Sequence, residues 1–158
     1  MTARGAFRSA VLLLALAAAV LLGVARSGRA DWEHGSDTEV TLEGTGTVWQ
    51  VHATINGRLH GLFLLDTGAT FCVLTVDAAK RLGVTPGDQH VALHTANGVI
   101  AAPLVELGTV DLNGNRAQGV QAVIDDAVEA PLDGIIGLSY LNRFSYSIVP
   151  SRRVLRLH

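Results

Sequence analysis

From Thr47 to Ile55 the chain alternates, with Trp49, Val51, Ala53 and Ile55 on one face and Val48, Gln50, His52 and Thr54 on the other. A period of two marks a half-buried strand. Asn56-Gly57 supplies the two-residue turn that joins antiparallel strands. The return strand, Arg58 to Leu65, ends in Leu62-Phe63-Leu64-Leu65, an apolar run that predicts burial on both faces. Phe71 to Leu74 reads as a further strand. A short helix follows at about Val76 to Leu82, with Asp77 in its first turn and Gly83 at its end. Residues 89 to 107 form a second hairpin, in which Val91, Leu93 and Thr95 alternate with His90, Ala92 and His94. Asn97-Gly98 is its expected turn, and Pro103 favours an edge in the outgoing arm. A third hairpin runs from Val105 through Asn113-Gly114-Asn115 to Ile124. Asp125 to Pro131 is a polar loop, and Leu132 to Gly137 leads into a short helix, Leu138 to Arg143. Tyr146 to Val149 and Val154 to Leu157 close the chain as strands around a Pro150-Ser151 turn. Closely spaced strands with no βαβ rhythm and no fixed repeat predict an all-β domain.

The N-terminus breaks this pattern. Residues 10 to 25, AVLLLALAAAVLLGVA, are unbroken apolar sequence preceded by Arg4 and Arg8. That is the charged and apolar arrangement of an export signal. Gly23-Val24-Ala25 and Gly28-Arg29-Ala30 are two small-x-small sites that suit cleavage. The run is slightly short for a membrane span, which takes about 20 residues, yet an uncleaved single-pass anchor also fits. The chain therefore divides into a signal peptide or N-terminal membrane anchor (residues 1–30), a linker or arm (31–44) and one folded domain (45–158). Within the arm, Thr38 to Glu43 alternates weakly, with Val40 and Leu42 on one side, as an edge strand does. An exported domain facing the periplasm or another extracytoplasmic space is the expectation.

Charge excludes one class of partner. Of 158 residues, 12 are basic and 14 acidic; four of the basic ones and none of the acids lie in the first thirty. The body is thus acidic and offers no basic surface for nucleic acid. The single cysteine, Cys72, allows no intramolecular disulfide and sits in strand-like sequence, as a buried inert thiol does.

The candidate chemistry centres on Leu64-Leu65-Asp66-Thr67-Gly68-Ala69-Thr70. An apolar strand delivers a carboxylate into a turn, followed by a small hydroxyl and by Gly, which lets another chain approach closely. Hydrolysis by paired carboxylates needs this arrangement. Two like charges within hydrogen-bond distance share one proton, so one accepts a proton from water while the other donates to the peptide carbonyl. The chain holds one such triplet, half of a two-carboxylate site, and a two-fold dimer would bring the residue onto its own copy. Other residues read more plainly. Asp133, before Gly134, is expected as a turn or capping residue. His90 and His94 lie on a strand-like segment without the spacing of a helical metal motif, so no metal and no cofactor is expected. Ser139 lacks the following Gly of a nucleophile elbow and is expected to face solvent or cap a helix.

Phe63 to Thr70, Asp77-Ala78-Ala79-Lys80-Arg81-Leu82-Gly83, Thr95-Ala96-Asn97-Gly98 and Gly134-Ile135-Ile136-Gly137-Leu138-Ser139-Tyr140-Leu141 together resemble the retropepsin-like aspartic proteases. Within them the likeness is to the exported, N-terminally anchored bacterial type. The resemblance covers residues 45 to 158. It implies a closed or partly closed β-barrel-like acid protease fold with one or two short helices, active as a symmetric homodimer on polypeptides. Asp66 would be the catalytic aspartate, Thr67 would bond across the dimer axis, and Gly68 would offer its N–H to the carboxylate. Ala69 and Thr70 would line the cleft, Ala96, Asn97 and Gly98 would tip a flap over the substrate, and Gly137 would pack against the active-site loop. The resemblance also offers Val40, Leu42, Leu155 and Leu157 for a sheet of interleaved termini. Two other readings fit the same residues: a non-catalytic extracytoplasmic module that binds peptide or dimerises, and a protease that cuts only its own linker.

Overall fold

In the computed structural model, residues 38–44, 46–95 and 98–158 are described. The apolar run at 10–25 and both expected cleavage sites lie outside these, as do Ala96 and Asn97. Among the described residues no helix is long and apolar enough to cross a membrane.

Strands make up 54% of the described residues, so the all-β expectation holds. They are β1 (Thr38–Thr41), β2 (Glu43–Gly44), β3 (Trp49–Ile55), β4 (Leu59–Leu65), β5 (Cys72–Leu74), β6 (His90–Thr95), β7 (Gly98–Leu112), β8 (Asn115–Ile124), β9 (Gly134–Ile136), β10 (Tyr146–Val149) and β11 (Val154–Leu157). Two short helices, α1 (Val76–Leu82) and α2 (Leu138–Leu141), interrupt them. Six strands close a barrel in the order β3-β4-β9-β5-β8-β7, sealed where Thr54 and Ile55 of β3 pair with Asp111 and Val110 of β7. Closure removes the sheet edges that would otherwise be exposed. The inward face of β3 is the one its alternation predicts, with Val51, Ala53 and Ile55 buried beside Phe63, Leu107, Val110 and Leu112.

Local chemistry sets the corners. Asn56 and Gly57 (φ 52° and 63°) and Asn113 and Gly114 (φ 51° and 93°) adopt the left-handed pairs that a tight hairpin turn demands. Asn56 does more, because its side-chain oxygen accepts from the Thr109 N–H at 2.9 Å and so ties the first hairpin to β7. Helix α1 starts where the Thr75 hydroxyl accepts from the Ala78 N–H and ends at Gly83, φ 70°. Pro103 pairs only with His90 of β6, at the step where β7 passes from β6 to β8. The missing N–H costs nothing there.

The β6–β7 hairpin differs by one position from the sequence reading. Thr95 pairs with Gly98, so Gly98 belongs to the strand. Asn-Gly is the stronger turn signal locally, but the register imposed along the whole hairpin carries Gly98 into β7.

A second sheet, ordered β1-β11-β10, lies outside the barrel circuit. Val40 opposes Leu155 and Thr38 opposes Leu157. Val40, Leu42, Leu155 and Leu157 are all 4% exposed or less and join the main core. Residues 38–44 thus pack with the folded body, with β1 at a sheet edge as its alternation suggested, and the four apolar side chains fill this chain's own interior. The strand is fastened by polar contacts as well. The Glu39 carboxylate pairs with Arg152 at 2.9 Å and Arg156 at 3.1 Å, and the Leu42 N–H donates to the Arg153 carbonyl.

Candidate active site

Two parallel pairings thread the chain through itself. Strand β4 runs parallel to β9, with Leu65 opposite Ile136, and β5 runs parallel to β8, with Cys72 opposite Ala122. The turn between β4 and β5 is the Asp66 loop, and the turn after β9 is Gly137. They meet, and the meeting fixes the carboxylate.

The Asp66 backbone N–H donates to the Ile136 carbonyl at 3.1 Å. On the other side of the turn, Gly68 N–H donates to Asp66 Oδ1 at 2.7 Å, a short charge-assisted bond that holds the side chain in one orientation. The first N–H groups of α2 then clamp the loop's far end, Leu138 to the Ala69 carbonyl at 2.8 Å and Ser139 to the Thr70 carbonyl at 3.0 Å. This clamp explains Gly137. A Cβ there would stand 2.7 Å from the Ala69 oxygen and closer still to that of Phe71, so no other residue lets the two turns approach this way.

Ser139 completes the fastening. Its hydroxyl accepts from the Cys72 N–H at 2.9 Å and donates to the Gln121 carbonyl at 2.7 Å. It neither faces solvent freely nor caps a helix, which corrects the sequence reading. It joins β5 to β8 beneath the loop. Cys72 is 2% exposed, and burial pushes its thiol up, against smaller opposing hydrogen bonds from Ser139 and the Gly137 and Tyr140 backbone. A protonated thiol under the loop is a packing group, not a nucleophile.

Asp66 itself is half-buried and opens onto a cavity of about 570 Å³. Gly68, Ala69, Thr70 and Phe71 form one wall; Val73, Val123 and Ile135 form the floor; Ala92 and Leu93 of β6 face them. The β6–β7 hairpin thus lines, through its β6 arm, the same cavity as the carboxylate. Its tip presents Val99 and Ile100, both exposed. Gly98 is exposed within β7 and is not among the cavity walls, while Ala96 and Asn97 fall outside the described residues. Thr67 is exposed beside Asp66, and its side chain makes no hydrogen bond among the described residues. Gly137 lies behind the loop, not in the cavity.

Asp133 takes neither of the roles expected of it. Its Oδ2 accepts from the Leu62 N–H at 3.2 Å while Oδ1 pairs with Arg81 of α1. It is an anchor between helix and barrel, formed by residues far apart in sequence. The His90 ring bonds the Asp88 carbonyl at 3.1 Å. Among the described residues no group of three metal-binding side chains converges.

Chemically, the site offers the Asp66 carboxylate, pinned by a backbone N–H, in a largely apolar cavity that Asp125 also lines. Residues 51–140 match the family model described as aspartyl protease. None of the curated proteins compared with the chain matches it. Among solved structures, the chain is similar to a retropepsin-like aspartic protease from Rickettsia conorii. The identity is 21%, the match covers 77% of this chain and 88% of that one, and the TM-score is 0.56. That likeness is one of fold. The family match spans more than half of the sequence, and the chain belongs to the aspartyl protease family, on a retropepsin-like fold.

Proposed function

We propose that the chain is an endopeptidase in which two Asp66 carboxylates, one from each subunit of a homodimer, activate a water between them. The observation that carries this reading is the Asp66–Gly68 turn, presented half-exposed at the cleft mouth with Thr67 bare beside it. One pinned carboxylate can accept a proton but cannot also donate one, whereas a facing pair sharing a proton does both. With a single Asp-Thr-Gly triplet in the sequence, the second carboxylate comes from a second copy. Thr67, exposed on the same turn, suits a hydrogen bond to its own copy across the axis. No covalent intermediate, metal or cofactor is required. The apolar run of residues 10–25 supports placement on the extracytoplasmic side, by export or by an N-terminal anchor.

The test compares the parent with Asp66→Asn on casein-like and peptide substrates, with sedimentation at the assay concentration. The expected result is turnover by the parent dimer and none by the variant. Equal activity in both, or full activity in a verified monomer, would sink the shared-site reading. The rate should fall as pH rises past the upper macroscopic pKa of the pair. A rate still climbing at about pH 9 would contradict a dyad that must hold one proton.

A further inference from the structure

The loop after β8 holds acidic side chains whose uses differ. Asp126 Oδ1 accepts from the Val76 N–H at 3.0 Å at the start of α1. Asp133 joins Leu62 to Arg81. Asp125 does neither. Its backbone N–H is fixed to the Leu74 carbonyl at 3.0 Å, so its position is set by β5. Its carboxylate, half-buried, has no hydrogen bond or ion pair among the described residues, and it lines the same cavity as Asp66.

The other walls are contributed by apolar residues, glycine and Thr70, so among the described residues no cationic side chain lines the cavity. A carboxylate against apolar walls loses hydration and gains nothing from the protein in return. A ligand that brings its own charged donor reverses that balance. Lysine and arginine suit the shape too, because their methylene stems lie along apolar surface while the cationic head reaches further. We propose that Asp125 is a specificity-determining residue that selects a lysine or arginine side chain in the polypeptide segment bound beside Asp66. This rests on reading the cavity as the substrate cleft, but not on turnover.

The experiment uses binding, so that it stands apart from catalysis. In the full chain carrying Asp66→Asn, fluorescence anisotropy measures short labelled peptides in which lysine, or its uncharged near-isostere norleucine, occupies each position in turn. At one position lysine should be favoured about tenfold, as expected for one charge-assisted hydrogen bond. Adding Asp125→Asn should abolish that preference, and Asp125→Lys should replace it with a preference for glutamate over glutamine. Because the Asp125 side chain bonds nothing among the described residues, these variants should melt where the parent does. Equal binding of lysine and norleucine peptides at every position, or a lysine preference that survives Asp125→Asn, overturns the assignment. Hydrolysis by the Asp66 parent is scored separately. Lysine-selective binding with no turnover would remove the protease reading and leave Asp125 in its role.

Discussion

Replacing Ser139 by alanine deletes one oxygen atom and two hydrogen bonds. The first, from the Cys72 N–H at 2.9 Å, satisfies a donor in a residue 2% exposed. The second, to the Gln121 carbonyl at 2.7 Å, belongs to an exposed residue, where water substitutes. The cost is therefore set by the first. A buried backbone donor left unpaired costs about 1–3 kcal/mol, and the missing oxygen leaves a void too small for water to repair the loss. We expect about 2 kcal/mol of destabilisation, a fall in Tm of about 6–10 °C for a domain of this size. Urea denaturation followed by tryptophan fluorescence measures it, with an unchanged slope showing that the midpoint shift reports stability. Catalysis, if Asp66 acts as proposed, should fall by less than Asp66→Asn lowers it, because Ser139 touches no reacting atom. A loss under about 0.5 kcal/mol would refute the reasoning, since it would mean that the Cys72 N–H finds another partner or was never closed off from water.

Gly137→Ala should cost about 1–3 kcal/mol through overpacking against the Ala69 and Phe71 carbonyls. Its signature is a loss of activity greater than the loss of folded protein, because the displaced atoms are those of the Asp66 loop; a variant with parental stability and rate would contradict the close approach. The alkaline limb of the stability curve should be steep. Burial raises the Cys72 thiol from an ordinary 9.0 and the Tyr140 phenol from an ordinary 10.0. The unfolded chain therefore releases these protons first, so their contribution is fully present below the ordinary values and is lost as pH rises toward the folded ones. Denaturation midpoints should drop above about pH 9 and drop less in Tyr140→Phe; midpoints that hold constant or rise there would contradict it.

Much of the barrel was legible because its signals are local. Two-residue alternation placed β3 and its inward face, and Asn56-Gly57 and Asn113-Gly114 named their own turns. The turn at Asp66 was legible as well, since an apolar strand, a carboxylate and a glycine are contiguous. What the sequence hid is long-range. Ser139 bonds Cys72 across 67 positions and Asp133 meets Arg81 across 52, and no periodicity encodes such pairs. Nor does local sequence separate Asp125, which lines the cleft, from Asp126, which holds α1. The place of Gly98 in β7 was missed because Asn97-Gly98 is the better isolated turn, while six paired positions from His90 to Thr95 carry Gly98 into the strand. The setting of Val40 and Leu42 was hidden because their partners, Leu155 across the sheet and the Arg153 carbonyl that accepts from the Leu42 N–H, come at the far end of the chain.

The threading of β4 beside β9 and β5 beside β8 has a consequence for the order of events during folding. The Asp66 N–H finds its acceptor only at Ile136, and the loop's far end finds its clamp only at Leu138 and Ser139. None of these bonds has a local substitute. Nascent hairpins such as β3–β4 can pair early, because their loop-closure cost is small. The Gly68 N–H bond to the Asp66 carboxylate is local, but the rest of the loop's fastening waits for residues 136–139, and such distant pairings form slowly. A chain cut before residue 134 keeps the Asp-Thr-Gly triplet and its Gly68 bond, and loses the bonds that fasten the loop to Ile136, Leu138 and Ser139.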